Sequence, residues 1–207
     1  DAFNRWDAGQ TLALGVLLEL CEATAAGREL TLDPAFAEAF GKILADPSLD
    51  GSLKAQALGL PAEQQLALEM PVVDVDAIHT VRQFVRKELA TRFRSELRAT
   101  YDANTTGEPY SNSQAGVAQR RLKNSALSYL SALGDDEVTN LVSQQFERAD
   151  NMTDSQAALF MLGELNTPQR AKALAGFYEK WREDPLVLDK WFSVQAMSSD
   201  PGTLAQV

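Results

Sequence analysis

The 207 residues are 45% hydrophobic and 23% charged, enough apolar content to bury a core without disulfide or metal staples, as one domain or a large piece of one. A net charge of −10 argues against nucleic acid or an anionic membrane as partner, and a single cysteine excludes an internal disulfide. The longest apolar run, Thr11 to Cys21 with Glu19 inside it, is too short to span a bilayer, and no signal-peptide pattern is visible.

In chain order, Asp1 to Ala26 reads as a helix. Phe3, Trp6, Ala13, Leu17 and Leu20 share one face, while Leu12, Leu14, Val16 and Leu18 spread around the rest, which predicts burial on most sides. A chain that opens directly in such an element is expected to be a piece of something larger. Gly27 ends the helix. Short helices follow: Asp33-Pro34 starts one to about Ala45, Asp50 caps one to about Leu58, and Pro61 opens one to about Glu69.

Asp74 to Thr106 then reads as one long helix, capped by Asp74 and free of Gly and Pro. Its apolar residues Ile78, Val81, Val85, Leu89, Phe93, Leu97 and Tyr101 recur at three and then repeatedly four. Each step of four drifts by about 40°, so the stripe winds and its two ends need cover from different sides. That pattern suits a spine in a curved helical stack.

Gly107 to Asn112 is the most turn-rich linker and the best candidate for a mobile loop. A helix from Ser113 to Leu133 turns Val117, Leu122, Leu127 and Leu130 inward. The next, behind Asp135, Asp136 and Glu137, marks a face with Val138, Leu141, Val142, Phe146 and Ala149. Thr153 with Gln156 reads as a capping box for a helix carrying Ala158, Met161, Leu162 and Leu165. Thr167-Pro168 begins a helix with Leu174, Phe177, Tyr178 and Trp181 inward; Asp184-Pro185 begins another with Leu188, Trp191 and Phe192. Asp200-Pro201 announces one more. The fold class is therefore all-α, an irregular α-solenoid or superhelix of about ten antiparallel helices, with no fixed sequence period.

Candidate chemistry is sparse. A zinc site needs three or four converging His, Cys or carboxylate ligands, and the chain has one His and one Cys. Nucleophilic catalysis would have to use His79, which has Asp76 three residues before it; the plainer reading is a surface histidine paired with that helix-start carboxylate. Asp135, Asp136 and Glu137, and likewise Glu179 and Glu183, read as helix-start and solvated-face carboxylates before they read as acid/base pairs. Cys21 reads as a small core side chain. The bases Arg82, Arg86, Lys87, Arg92, Arg94 and Arg98 form the strongest positive cluster, with Glu88 and Glu96 interspersed and an acidic chain around them to pair with.

Four segments occur in a telling order. They are Asp1-Ala2-Phe3-Asn4-Arg5-Trp6-Asp7-Ala8-Gly9-Gln10, then Arg121-Leu122-Lys123-Asn124, then Gln145-Phe146 with Ala149-Asp150-Asn151-Met152-Thr153-Asp154, and Asp189-Lys190-Trp191-Phe192 with Gln195-Ala196. Together they resemble the C-terminal helical domain of bacterial aminopeptidase N, the zinc-dependent alanyl aminopeptidase family, and the similarity runs over essentially the whole chain.

The resemblance implies that residues 1–207 are a single α-helical domain, an incomplete C-terminal domain of a larger enzyme that removes N-terminal amino acids from peptides. In that family an upstream catalytic domain carries His-Glu-x-x-His and a distal Glu as zinc ligands, and a Gly-x-Met-Glu-Asn segment for the substrate's amino terminus. None of these motifs occurs here. The expectation is therefore no catalytic, cofactor-binding or metal-binding residue in this chain, with zinc held by the parent enzyme's catalytic domain.

In the family, zinc activates water, a Glu acts as general base, and the helical domain closes a substrate chamber. Basic chamber-lining residues are expected beyond Val207. Expected partners are the catalytic domain of the same polypeptide and peptide substrates, with no nucleic acid and no membrane; the expected location is cytoplasmic. The surface that meets the catalytic domain is expected to be unusually apolar. The alternative is a free-standing helical-repeat scaffold that binds a partner protein on a concave face, told apart by the residues encoded before Asp1.

Overall fold

The computed structural model describes residues 2–199, 202 and 203, with the side chains of Ala2, Phe3 and Arg5 left out. The inward role expected of Phe3 and the helix expected at Asp200-Pro201 therefore lie outside what is described. Among the described residues there are eleven α-helices and no strand, so the all-α class is borne out. The chain divides into two compact units, residues 1–106 with 112–133, and residues 107–111 with 134–207.

The first unit holds seven helices: α1 (Ala2–Ala25), α2 (Pro34–Ala45), α3 (Gly51–Ala57), α4 (Glu63–Glu69), α5 (Val75–Arg92), α6 (Arg94–Ala103) and α7 (Gln114–Ser131). Its core runs along α5, where Ile78, Val81, Val85, Leu89 and Ala90 are buried, and α1, α4 and α7 pack against that helix. The first helix is less enclosed than its sequence predicts. Ala13, Val16, Leu17, Leu20 and Cys21 are buried, but Leu12 is exposed. Gly27, at φ +64, stops α1 in a left-handed turn in which Arg28 N–H donates to Ala23 O at 2.9 Å and Gly27 N–H to Thr24 O at 3.0 Å.

The long helix expected from Asp74 to Thr106 is two helices. At Phe93 the backbone leaves helical geometry (φ −114, ψ 28) although no Gly or Pro is present. The cause is tertiary. Phe93 lies against Phe40 of α2, ring centroids 5.6 Å apart, and its ring crosses Gly41 so closely that a Cβ there would stand 2.6 Å from it. The break explains how one apolar stripe serves neighbours on different sides: α1 and α4 cover α5, while α7 and α2 cover α6.

The two shortest helices, α3 and α4, have seven residues each, too few to persist alone. Their connection is fastened to three long helices through its carbonyls. Leu58 O accepts from the buried Tyr129 hydroxyl of α7, Gly59 O from Gln10 Nε2 of α1 at 2.8 Å, and Pro61 O from Arg82 Nε of α5 at 2.9 Å. These bonds satisfy main-chain acceptors that a buried turn would otherwise strand.

The second unit holds α8 (Asp136–Arg148), α9 (Met152–Gly163), α10 (Pro168–Trp181) and α11 (Pro185–Ala196). Val138, Leu141, Val142, Ala158, Leu159, Leu162, Ala173, Phe177 and Val194 form its core. Helices α9 and α11 approach so closely at Gly163 that a Cβ there would stand 2.6 Å from Val194 Cγ1, and Ser198 Oγ donates to Gly163 O at 2.7 Å. The cap of α9 is Asn151, two residues before the Thr153 expected: its Oδ1 accepts from Asp154 N–H at 3.0 Å and its Nδ2 donates back to Asp154 Oδ2 at 3.1 Å. Thr153 is already helical. Of the polar linker, Tyr110 N–H donates to Asp150 Oδ2 at 2.8 Å. Tyr178 and Phe192, expected inward, are exposed. They flank Trp191, each with its ring centroid 5.1 Å from that indole, while Trp191 Nε1–H donates to Leu174 O at 2.9 Å.

Candidate functional site

His79 is the chain's single histidine, so any histidine chemistry has to start there. It sits one turn into α5, and its partner is not the Asp76 expected from spacing. Its Nδ1 lies 3.2 Å from Glu63 Oε1 on α4, and Arg82 Nη1 approaches the same oxygen at 3.5 Å. Helix α4 runs beside the start of α5, and a carboxylate placed one helix away reaches the ring, whereas Asp76 sits at a helix start with its own dipole to complement. Both side chains are nearly half exposed, and the group is a surface ion cluster that ties α4 to α5.

The acidic candidates are used locally. Asp135 caps α8 by accepting from Val138 N–H at 2.9 Å, with Asp136 and Glu137 in the first turn behind it. Glu179 and Glu183 flank Arg182 at 3.4 and 3.7 Å on an exposed face. Cys21 is buried, and burial, with a smaller contribution from the Asp74 charge, holds its thiol above the ordinary value. That makes it a poor thiolate source.

Several of the bases are structural. Arg82 holds Pro61 O, and Arg86 Nη2 donates to Ser128 O at 2.6 Å and lies 3.2 Å from Ser128 Oγ. Arg98 grips Asp102 one turn on at 2.9 and 3.1 Å, and the Arg92 guanidinium sits 5.8 Å from the Phe93 ring centroid.

Two features were not named from the sequence. A recess of about 200 Å³ opens between α1, α2 and α3, lined by Trp6, Ile43, Leu49, Leu53 and Ala57 with Lys42 and Asp46 at its polar side. Asp46 accepts from Ser48 N–H and Oγ at 2.8 and 2.6 Å, and Lys42 pairs with Glu38 at 2.7 Å, so both charges are engaged locally. In the second unit the polar side chains of Gln145 on α8, Asp154 on α9 and Arg170 on α10 are each buried, and Gln145 Nε2 donates to Asp154 O at 3.2 Å. The signal for Gln145 was available, since it falls four residues after Leu141 on the apolar face of α8.

A zinc ion does not fit these residues. The single histidine and the single cysteine lie on different helices, and no group of three or more His, Cys, Asp or Glu able to hold a metal occurs among the described residues.

Comparison with known proteins supplies the family. The family model described as "Domain of unknown function (DUF3458_C) ARM repeats" matches residues 1–207. The chain belongs to this ARM-repeat family. Similar along its whole length to the DUF3458_C chain are aminopeptidase N of Caulobacter vibrioides, 36% identical over 100% of this chain and 24% of its own, and aminopeptidase N of Escherichia coli, 37% identical over 99% of this chain and 23% of its own. The crystal structure of Legionella pneumophila aminopeptidase A in complex with aspartic acid matches with a TM-score of 0.83 and 26% identity, over 100% of this chain and 25% of that one.

The DUF3458_C chain thus spans about a quarter of the length of the relatives it matches, and the resemblance to the C-terminal helical part of aminopeptidase N is borne out. The segments that carried the resemblance hold structural posts. Leu122 and Asp154 are buried, Asn151 caps α9, and the Trp191 indole is fixed to α10.

Proposed function

We propose that this chain is a structural part of a cytoplasmic zinc aminopeptidase that removes N-terminal amino acids from peptides, and that it shapes and closes the substrate chamber while residues outside it carry the chemistry. The observation that carries this reading is the full-length likeness, at 36% and 37% identity, to two aminopeptidases N. The residues present support the division of labour: among the described residues the one histidine lies against Glu63, the one cysteine has a thiol that burial holds above its ordinary value, and no group of three or more His, Cys, Asp or Glu able to hold a metal occurs. The partners in this reading are the catalytic part of the same polypeptide and the peptide substrate. As to location, no described helix is long and apolar enough to cross a membrane.

The test is the intact protein encoded by the whole reading frame. It should hydrolyse an alanyl anilide, lose that activity to a chelator and regain it with zinc, and fractionate with the cytosol. An intact protein without aminopeptidase activity, or one indifferent to chelation, would overturn the reading and favour a helical-repeat scaffold.

A further inference from the structure

Among the described residues, four large exposed apolar side chains fall within one stretch: Leu68 (85% exposed), Val72 (82%), Val73 (49%) and Val75 (68%). Between them stand Met70 and Pro71, so the stretch from the last turn of α4 through the connection to the first residue of α5 is apolar at six of eight positions and faces water at nearly all of them. Loops carry turn-forming polar residues because exposed apolar groups gain nothing there. This one does the opposite.

We infer that the Leu68–Val75 segment is the seat of an internal contact, entering an apolar recess with a basic rim on the part of the polypeptide outside these residues. The inference rests on the reading of the chain as part of a larger aminopeptidase.

Three observations favour that occupant. The matched region is 24% of the Caulobacter relative, so most of such a polypeptide is available as a tethered partner at high effective concentration. The segment joins two helices in the middle of the chain, whereas Leu186, Phe192 and Met197 lie on or just beyond the last described helix, where another helix pair would serve as cover. The helices on either side of it are also anchored before any partner arrives: Glu63 of α4 is held by His79 and Arg82 of α5, Arg82 holds Pro61 O, and the Asp74 carboxylate caps α5 by accepting from Ala77 N–H at 2.9 Å. A presented loop with stiff β-branched side chains loses little entropy on docking. Glu69, Asp74 and Asp76 flank the valines, which is why the recess is assigned a basic rim.

The test uses the intact protein, with Val72→Cys and, as a second position, Val75→Cys, compared with Glu108→Cys in the exposed linker. Native maleimide labelling at each site is followed by peptide mass mapping. The contact predicts labelling at Val72 and Val75 about tenfold or more slower than at Glu108, at every protein concentration. Equal labelling would overturn it. So would protection that disappears on dilution together with a halving of the particle mass, which would assign the face to a second copy. Alanyl anilide hydrolysis by the unsubstituted protein is read separately: it bears on the enzyme reading, while the labelling ratio decides the contact.

Discussion

The Tyr129 hydroxyl shows what a single buried polar atom does in this chain. It donates to Leu58 O, and burial holds its phenol far above the ordinary value. Tyr129→Phe keeps the ring against Phe40, 5.0 Å between centroids, but strands a buried carbonyl. The expected cost is about 1–3 kcal/mol in urea unfolding, and a change within error would show the carbonyl to be satisfied otherwise. At the surface the logic reverses. Glu147 accepts from Lys172 Nζ at 2.6 Å, and that hydrogen bond and then the lysine charge hold its carboxyl below the usual range. Because the folded value is the lower one, the pair's contribution is complete above the unfolded carboxylate range and is lost as pH falls through the folded value. Lys172→Ala should move the Glu147 titration upward when followed by NMR; an unmoved midpoint would remove the pair as its cause.

Among elements, the caps can be tested one against another. Asn151→Ala should destabilise by about 1 kcal/mol, whereas Thr153→Ala, in an exposed first-turn position, should be close to neutral in the same thermal or urea measurement. Equal effects would restore the capping box expected from Thr153 and Gln156. The sequence carried the choice in plain view, since Asn151 and Asp154 stand three apart, yet Thr and Gln at the same spacing make an equally good local pattern. Local chemistry proposed two starts and the extended backbone at Asn151 (φ −142, ψ 155) selected one. The division of the long helix at Phe93 was not legible for a different reason. No residue within Asp74 to Thr106 breaks a helix; the break comes from a ring seated on Gly41, fifty-two positions earlier, and no window of local sequence contains that contact. His79 makes the same point, with spacing offering Asp76 and packing supplying Glu63.

For the whole molecule, the helical class followed from periodicity and punctuation, because caps, prolines and apolar stripes act within a few residues of where they stand. The exposed Tyr178 and Phe192 escaped that reading, since an apolar stripe says that a face seeks cover without saying where the cover is. The family was legible through resemblance, and composition set a bound: a chain with one histidine cannot write a two-histidine zinc motif. The central claim of the proposed function, that the chain is part of an aminopeptidase whose chemistry lies outside these residues, is tested most directly by His79→Ala in the intact protein. The account predicts a kcat/KM on alanyl anilide within about twofold of the unsubstituted enzyme and unchanged zinc content, a difference of less than about 0.5 kcal/mol in transition-state stabilisation. A loss of about a hundredfold or more, or a loss of zinc, would place catalytic machinery inside this chain and contradict it.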